Sequence, residues 1–493
     1  MGRNVTLHIQ NETGFDLAFV RNEIEHGKYN ANPPKKISRG ETVTFKVGNK
    51  TGAKVGPKGS ITYQLIYTEN IYVELTFYWD HPFSASASTY EVASSPPWFA
   101  SYYLDPGSPV GHDQEVTYIT RLNDYCFDSK EWMGQIAESK ANVKLRELFI
   151  PGSHDSGTYN INYYSALTLD YENWIIPLGS IVGASQGWAK AQNNSIIDQL
   201  NAGIRYFDLR FSNGIYATAP VTGARFTYIG PDDPIPMIGN PPQPVSNIVR
   251  KKVFLCHSFA SVEMKTVFND VKAFIDAHSK EIVFINIQHI YNFSHEDCQF
   301  FIQQLHDILG DKMLQRPTNK TLDLAVKDVL ANGKQIILFI DQVHTVNISG
   351  KAESGTDFNK TFSDIFERNK FIWPATEFLD NPYPNTCKVS ELKTKMFNNI
   401  SNDTNKFSVL QGIITPDTSF PAKEDIAYQN AITGRYPKTL EELGSEVSPK
   451  VIAWVNNEWF DKPINIVIID WVCTSIMTQV CYMINKYHIT ENK

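Results

Sequence analysis

The chain has 493 residues, of which 42% are hydrophobic and 20% charged, and this composition is that of a folded globular protein rather than a disordered one. The length is too great for one ordinary hydrophobic core, so we expect two domains. The formal net charge of -8 argues against a nucleic-acid partner, because binding to phosphate backbones needs a basic surface.

The chain begins MGRNVTLHIQ and shows no apolar signal segment there. No uncharged run reaches the roughly 18 apolar residues of a membrane-spanning helix. The six cysteines have no CxxC spacing, which favours reduced thiols over disulfides or a zinc site. We therefore expect a cytoplasmic protein without a transmembrane segment, able to associate peripherally with a membrane.

Residues 1–125 contain short segments of alternating apolar and polar residues, such as 5–9, 42–47 and 71–77, separated by glycine-containing turns. This pattern is typical of an all-β sandwich. The region resembles the aegerolysin family of membrane-binding β-sandwiches, and the resemblance implies lipid recognition. It is carried by the stretches Val5-Thr6-Leu7, Asn11-Glu12-Thr13-Gly14 and Ser38-Arg39-Gly40-Glu41.

An aromatic cluster in the same region has two interpretations: an interfacial belt at a lipid surface, or sandwich core plus domain interface. Its members are Tyr78, Trp79, Phe83, Tyr90, Trp98, Phe99, Tyr102 and Tyr103.

From residue 140 to residue 490, short apolar runs alternate with amphipathic helical segments, including 261–278 and a helix capped at Ser294. Repeated β-then-α units imply a parallel sheet, and about eight of them indicate an α/β fold of the TIM-type (β/α)8 barrel class, distorted and preceded by the β-sandwich. The predicted strands are residues 145–150, 204–209, 253–256, 282–287, 336–340, 407–410, 451–455 and 464–469.

The segment 212–252 interrupts this rhythm with seven prolines, which exclude a helix or a central strand. We expect a long loop over one end of the barrel, either a lid or an inert insertion.

Polar residues end several of the predicted strands, and the carboxyl ends of barrel strands meet at one face. Two imidazoles and a guanidinium at that face would supply a base, an acid and a fixed positive charge for phosphodiester cleavage. The residues at the strand ends are His154, Asp155, Asp208, Arg210, His257, Gln288, His289 and Asp470.

Three motifs in this part of the chain resemble the X region of phosphatidylinositol-specific phospholipase C, closer to its bacterial and X-domain-only branch than to the calcium-dependent signalling enzymes. The resemblance covers residues 140–490 and implies a barrel catalytic domain acting on a phospholipid at a membrane surface. The motifs are LFIPGSHDSGT at 148–158, QLNAGIRYFDLR at 199–210 and VFLCH at 253–257.

The resemblance implies a role for each catalytic position. His154 is the general base that takes the proton of the inositol 2-hydroxyl, and Asp470 orients it. His257, assisted by Asp155, is the general acid that protonates the leaving diacylglycerol oxygen.

Arg210 stands where calcium-dependent members have an acidic ligand and bacterial members have an arginine, and Asp208 is expected to hold it. A guanidinium can bind a phosphate oxygen directly. Gln288 is neutral at a second ligand position, so too few anionic oxygens remain for a hard divalent ion. We expect no metal and no other cofactor.

The inositol pocket differs from that of the bacterial relatives, which have a lysine at the position of Gln288 and an arginine near that of Asp341. Here Gln288, Asp341 and Asp208 are the candidate substrate-binding residues, with His344 nearby.

Two alternatives stay open. The protein could act on another phospholipid or on a glycosyl-inositol lipid, or it could be a non-catalytic membrane-binding protein whose β-sandwich is the active part. The sequence leaves the natural lipid, the membrane and the oligomeric state undetermined.

Overall fold

The structure is a computed structural model that describes residues 3–13, 16–49, 55–68, 71–83, 88–95, 99–104, 113–122, 128–162, 165–170, 187–217, 227–229, 252–318, 322–347, 352–401, 403, 405–415 and 439–487. Most of the proline-rich loop predicted at 212–252 lies outside these residues, and so does Trp98. Residue contacts divide the chain into two units: Met1–Phe127 with Ile452–Asp461, and Asp128–Val451 with Lys462–Lys493.

The strands of the first unit are β1 (Asn4–Glu12), β2 (Leu17–His26), β3 (Lys28–Tyr29), β4 (Lys36–Ile37), β5 (Thr42–Gly48), β6 (Lys58–Thr68), β7 (Ile71–Asp80), β8 (Thr89–Ser95), β9 (Phe99–Leu104) and β10 (Asp113–Leu122).

The strands that follow are β11 (Ile150–Ser153), β12 (Tyr206–Ser212), β13 (Ile215–Ala217), β14 (Thr227–Ile229), β15 (Phe254–His257), β16 (Phe259–Glu263), β17 (Val283–Tyr291), β18 (Ile336–His344), β19 (Thr356–Asp357), β20 (Ile372–Pro374), β21 (Leu379–Asp380), β22 (Phe407–Gln411) and β23 (Ile466–Ile469).

The α-helices are α1 (Trp132–Ser139), α2 (Ile196–Asn201), α3 (Met264–Ala277), α4 (His295–Leu309), α5 (Val326–Ala331), α6 (Phe358–Thr361), α7 (Ser363–Arg368), α8 (Ala375–Phe378), α9 (Val389–Asn398), α10 (Leu440–Asn457) and α11 (Met477–Tyr487). Short 3-10 helices lie at Leu145–Glu147, Ser156–Asn160, Gly310–Lys312 and Val472–Thr474.

Two five-stranded sheets, in the orders β3-β5-β1-β10-β9 and β4-β2-β6-β7-β8, form the β-sandwich. Strand β1 alternates as its sequence predicts, because Val5, Leu7 and Ile9 are buried while the residues between them are partly exposed. Side chains of successive strand residues point to opposite faces, so this alternation places one face of β1 in the core.

The aromatic cluster of the sandwich divides between core and surface. Trp79 and Tyr90 are buried, as the core interpretation requires, whereas Tyr78 and Phe83 are 41% and 37% exposed. The other four members lie outside the residues whose side chains are described.

The second unit is an α/β barrel of the TIM type with a distorted, open wall. Eight parallel strands run in the order β20-β18-β17-β12-β11-β23-β22-β21. In the described part of the chain, no pairing joins the two outer strands, β20 and β21. The fold class predicted from the repeated β–α units is therefore confirmed, with an opening in the sheet.

Two of the eight predicted strands are wrong, and a third, 145–150, is misplaced, because Leu145–Glu147 form a 3-10 helix and β11 begins only at Ile150. Residues 253–256 do not form a parallel barrel strand, because β15 pairs antiparallel with the end of β12 and with β16, as one arm of a hairpin. Residues 451–455 lie inside helix α10. The three- to four-residue spacing that leads into this run marks one face of a helix; the buried members are Leu440, Leu443, Val447, Val451, Ile452 and Val455.

Strand register brings the polar strand ends to one level. The pairing of β11 with its neighbours β12 and β23 continues to Ser153. The residue that follows, His154, therefore lies level with Asp208 on one side and with Asp470 on the other. Helix α4, which follows β17, has the predicted capping box at Ser294.

Arg205, at the opposite end of β12, is fully buried and forms an ion pair with Glu281 at 2.8 Å. Its guanidinium also donates to four carbonyl oxygens, those of Ser129, Lys130, Leu200 and Ile204. A buried charge is tolerated only when it is paired and hydrogen-bonded, so this residue closes the base of the barrel and takes no part in the polar cluster. Within the described residues, no helix is both long and apolar enough to cross a membrane.

Candidate active site

The five residues predicted to be catalytic lie together at the carboxyl ends of the barrel strands. They come from four places in the sequence, and each of them contacts at least one other member. The cluster consists of His154, Asp155, Arg210, His257 and Asp470.

Glycine is required at two positions of the segment that carries His154. A Cβ atom on Gly152 would lie 2.8 Å from the Ile468 side chain and 3.0 Å from that of Tyr206. On Gly157 it would lie 1.8 Å from the Leu255 side chain. Because glycine has no side chain, β11 can pack closely between its neighbours and the following turn can pack closely against strand β15 of the hairpin.

Hydroxyl groups fix the turn that follows His154. The Ser156 hydroxyl donates to the Ser153 carbonyl oxygen at 2.8 Å and accepts from the Asp208 backbone N–H at 2.9 Å. The Thr158 hydroxyl donates to the Asp155 carbonyl oxygen at 2.8 Å. Asp155 itself has a φ of 42°, a left-handed conformation that aspartate tolerates better than most residues.

His154 is buried between two carboxylates. Its Nδ1 lies 2.8 Å from Asp470 Oδ1, and its Nε2 lies 3.4 Å from Asp155 Oδ2. Burial lowers the pKa of His154, but the charges of Asp155 and Asp470 raise it by more, to about 9. Because Nδ1 donates to Asp470, Nε2 is the nitrogen available for proton exchange.

Asp155 contacts three cationic or potentially cationic groups. Its Oδ2 also lies 3.5 Å from His257 Nδ1, and its Oδ1 lies 2.8 Å from Arg210 Nε. Burial raises the pKa of Asp155, but Arg210 and the two histidines lower it by more, well below its ordinary value. Asp155 therefore stays ionised and holds the positive groups of the site around it.

Arg210 is held by Asp155 and Gln288 rather than by Asp208, the partner that the sequence predicted. Its Nε–H donates to Gln288 Oε1 at 3.2 Å. Burial lowers the pKa of Arg210, but Asp155 and Asp208 raise it by more, above its ordinary value. Asp208 acts through its charge and accepts the Asp155 backbone N–H at 3.3 Å.

His257 reaches the site from the β15–β16 hairpin. The residue after it, Ser258, has a φ of 59° and forms the turn of the hairpin. His257 Nδ1 lies 2.9 Å from the Ala189 carbonyl oxygen. A carbonyl oxygen only accepts, so Nδ1 of this ring carries a hydrogen.

The remaining predicted residues line one wall of the site. The register of β12 against β17 shifts between Leu209 and Arg210, so Gln288 is an extra residue in β17, and such bulges redirect side chains. Gln288 lies level with Asp341 of the neighbouring strand β18. Burial, followed by the nearby carboxylates of Asp357 and Asp208, raises the pKa of Asp341 to about 6.

A histidine pair extends this wall. His344 Nδ1 lies 2.9 Å from the Glu353 carbonyl oxygen, and its Nε2 lies 2.9 Å from His289 Nδ1. Tyr291 stacks on His344 with 4.6 Å between the ring centroids. Burial, then Arg210 and His344, lower the pKa of His289 to about 2, so His289 is a neutral member of the site.

The cluster also has the geometry of a three-ligand metal site, since ligand atoms of His154, Asp155 and Asp208 lie within 4.8 Å of one another. Its donor set fits a hard divalent ion poorly. Calcium takes six to eight oxygen ligands, whereas one of these two carboxylates is in contact with Arg210 and the amide oxygen of Gln288 accepts from the same guanidinium.

The sequence analysis missed the segment that precedes α2. The carbonyl oxygen of Ala189 binds His257, and the side chain of Gln192 binds the backbone of His154. A backbone contact leaves no signal in the sequence, and a single buried glutamine outside a strand has no periodicity that would reveal it.

Fold and site together define an α/β-barrel protein with two histidines, two aspartates and an arginine clustered at the carboxyl ends of its strands. Residues 180–339 match the family described as phosphatidylinositol-specific phospholipase C, X domain. The human PI-PLC X domain-containing protein 3 is 24% identical over 353 residues, which are 69% of this chain and 89% of that protein.

The variant-surface-glycoprotein phospholipase C of Trypanosoma brucei brucei is 23% identical over 223 residues, which are 43% of this chain and 52% of that protein. A solved structure of the phosphatidylinositol-specific phospholipase C of S. aureus covers 72% of this chain and 97% of its own, at 13% identity and a TM-score of 0.43. Over part of its length, the chain is thus similar to proteins that carry the phosphatidylinositol-specific phospholipase C X domain.

The substitution Asp470→Asn should lower the pKa of His154 by roughly 1 to 2 pH units from about 9. The amide keeps the size of the carboxyl group but removes the negative charge that favours the imidazolium. An NMR titration of the His154 ring in both proteins measures the change. The ring of His278, at the other end of the barrel, is the internal control, and equal midpoints for His154 in the two proteins would contradict the assignment of Asp470 as its partner.

Proposed function

We propose that the protein is a metal-independent phosphodiesterase that cleaves a phosphatidylinositol-type lipid. One observation carries this proposal: Asp155 lies 3.4 Å from His154, 3.5 Å from His257 and 2.8 Å from Arg210. Two imidazoles and a fixed cation around one space are the groups that in-line displacement at a phosphodiester needs.

In this mechanism His154 Nε2 takes the proton of the inositol 2-hydroxyl, whose oxygen forms a bond to phosphorus. The phosphorus–oxygen bond to diacylglycerol breaks, and His257 Nε2 gives its proton to the departing oxygen. The products are diacylglycerol and a cyclic inositol phosphate that water can open. Asp470 orients His154, which has to keep one ring nitrogen free for the proton.

Arg210 supplies the fixed positive charge that binds the phosphate group. Its guanidinium keeps its charge because Asp155 and Asp208 raise its pKa, and its side chain is partly exposed at the site. A guanidinium can donate two parallel hydrogen bonds to phosphate oxygens. It would therefore stabilise, without a metal ion, the negative charge that develops on the non-bridging phosphate oxygens.

The wall formed by Gln288 and Asp341 favours a second candidate substrate, a glycosyl-inositol lipid. Neither side chain is cationic, and a carboxyl group can accept from hydroxyl or amino groups on a sugar. One relative is named for the phospholipase C of a surface glycoprotein. The head group is thus a separate question from the cleavage step.

We also propose that residues 140–490 are the catalytic domain and that residues 1–125 bind lipid. Exposed Tyr78 and Phe83 support lipid contact, because aromatic side chains favour the water–lipid boundary.

The protein should release inositol phosphate and diacylglycerol from vesicles of phosphatidylcholine and phosphatidylinositol, and should leave choline in the lipid. His154→Ala should lower kcat by roughly 10²- to 10⁴-fold, the usual contribution of a general base, without changing vesicle binding. His278→Ala is the matched control. Release of no head group by the parent protein would favour the non-catalytic membrane-binding alternative.

The proton-donor role of His257 is testable with a phosphorothiolate analogue whose leaving atom is sulfur. A thiolate is a much weaker base than an alkoxide and leaves without a proton. His257→Ala should therefore lower kcat by roughly 10²- to 10⁴-fold on the oxygen substrate and far less on the sulfur analogue. His154→Ala should be impaired on both, and equal losses of His257→Ala on the two substrates would exclude His257 as the acid.

Turnover should be the same in excess chelator as in calcium, because Arg210 supplies the positive charge. Arg210→Ala should lose activity that added calcium does not restore. Initial rates on the same vesicles, with and without chelator, measure this. Complete loss in chelator with recovery on adding calcium would show that a metal bound by His154, Asp155 and Asp208 is needed.

A further inference from the structure

Gln192 lies in the segment before α2 and is almost fully buried. Its Nε2 donates to the carbonyl oxygens of His154 and Ile469, each at 2.9 Å. Its Oε1 accepts from the backbone N–H of Val472 at 3.1 Å. Both ends of the amide are therefore used, and every bond goes to backbone beside His154 or Asp470.

These bonds join two strand ends. His154 follows β11 and Asp470 follows β23, and the last hydrogen bond between them runs from the His154 N–H to the Ile469 carbonyl oxygen at 3.2 Å. Beyond this point the two chains diverge into different turns. Gln192 spans the divergence, at the level where the His154 ring meets the Asp470 carboxylate.

The same short segment also holds the second histidine. The carbonyl oxygen of Ala189 lies 2.9 Å from His257 Nδ1, and that of Ala191 accepts from the Trp471 N–H at 2.9 Å. The segment is itself anchored, because the Ala191 and Gln192 N–H groups donate to the Thr158 hydroxyl at 3.0 and 3.2 Å.

We propose that Gln192 is a positioning residue for the phosphodiesterase reaction, and that residues 189–192 set the distance between the two catalytic histidines. This inference rests on the proposed function, since it assigns the roles of His154 and His257 used there. Gln192 does not touch the substrate. It acts by holding the backbone of His154 against that of Asp470.

Gln192→Met keeps the size of the side chain and removes its hydrogen bonds. The His154 carbonyl oxygen and the Val472 N–H would lose their bond to residue 192, and the Ile469 carbonyl oxygen would keep only the bond from the His154 N–H. The His154–Asp470 contact would therefore loosen. Displacing a catalytic group by about 1 Å can cost about 100-fold in rate, so kcat should fall by roughly 10- to 100-fold while KM stays nearly unchanged. The pKa of His154 should fall as its contact with Asp470 weakens.

Gln335→Met is the matched control. Gln335 is equally buried, and its side-chain amide also donates to backbone carbonyl oxygens, those of Ile275, His278 and Glu281. It precedes β18, at the end of the barrel away from the histidines. Both variants should lose stability, but only the Gln192 variant should lose kcat per folded molecule and change its pH profile.

A second pair of variants decides the case if Gln192→Met does not fold. Thr158→Val removes the hydroxyl that anchors residues 191 and 192, and Thr158→Ser retains it. The valine variant should show the same loss of kcat at unchanged KM, and the serine variant should restore it.

Parent-like kcat and an unchanged pH profile in folded Gln192→Met and Thr158→Val would overturn the proposal. The His154 titration by NMR separates this from failure of the proposed function. If the parent protein turns over no lipid, a lower His154 pKa in Gln192→Met still supports the positioning role, and an unchanged pKa excludes it.

Discussion

The site depends on one buried carboxylate, that of Asp155. It lies among His154, His257 and Arg210, and their positive charges are what keep it ionised despite its burial. The attraction works in both directions, because Asp155 also raises the pKa of Arg210 and contributes to that of His154. Without this charge, the imidazolium of His154 and the guanidinium of Arg210 would repel each other in a place where water screens them poorly.

The same carboxylates that orient His154 also hold a proton on it. Asp155 and Asp470 raise its pKa to about 9 in the free protein, so the neutral form that a base needs is the minor form at neutral pH. The groups that fix the orientation of the His154 ring thus also favour its charged form.

The regular barrel strands place some of the site residues, and irregular segments beside them place the others. Parallel strands bring His154, Asp208 and Asp470 level with one another through register alone. His257 enters instead from an antiparallel hairpin laid against the end of β12. A single bulge opposite Arg210 brings Gln288 to its guanidinium, so the hairpin and the bulge are two departures from the regular barrel that lie at the site.

The sequence by itself determined the class of each domain and the residues of the centre. Period-two alternation predicted the sandwich, repeated β–α units predicted the barrel, and polar residues at strand ends identified His154, Arg210 and Asp470, because these patterns follow from local backbone geometry. It misread 253–256 and 451–455, since a short apolar run has the same composition in a parallel strand, a hairpin or a helix.

Only the tertiary structure decided that Asp155 rather than Asp208 contacts Arg210, and that Ala189 and Gln192 hold the histidines. Those contacts join segments far apart in the chain, several of them through backbone atoms that every residue shares, so no local pattern could encode them.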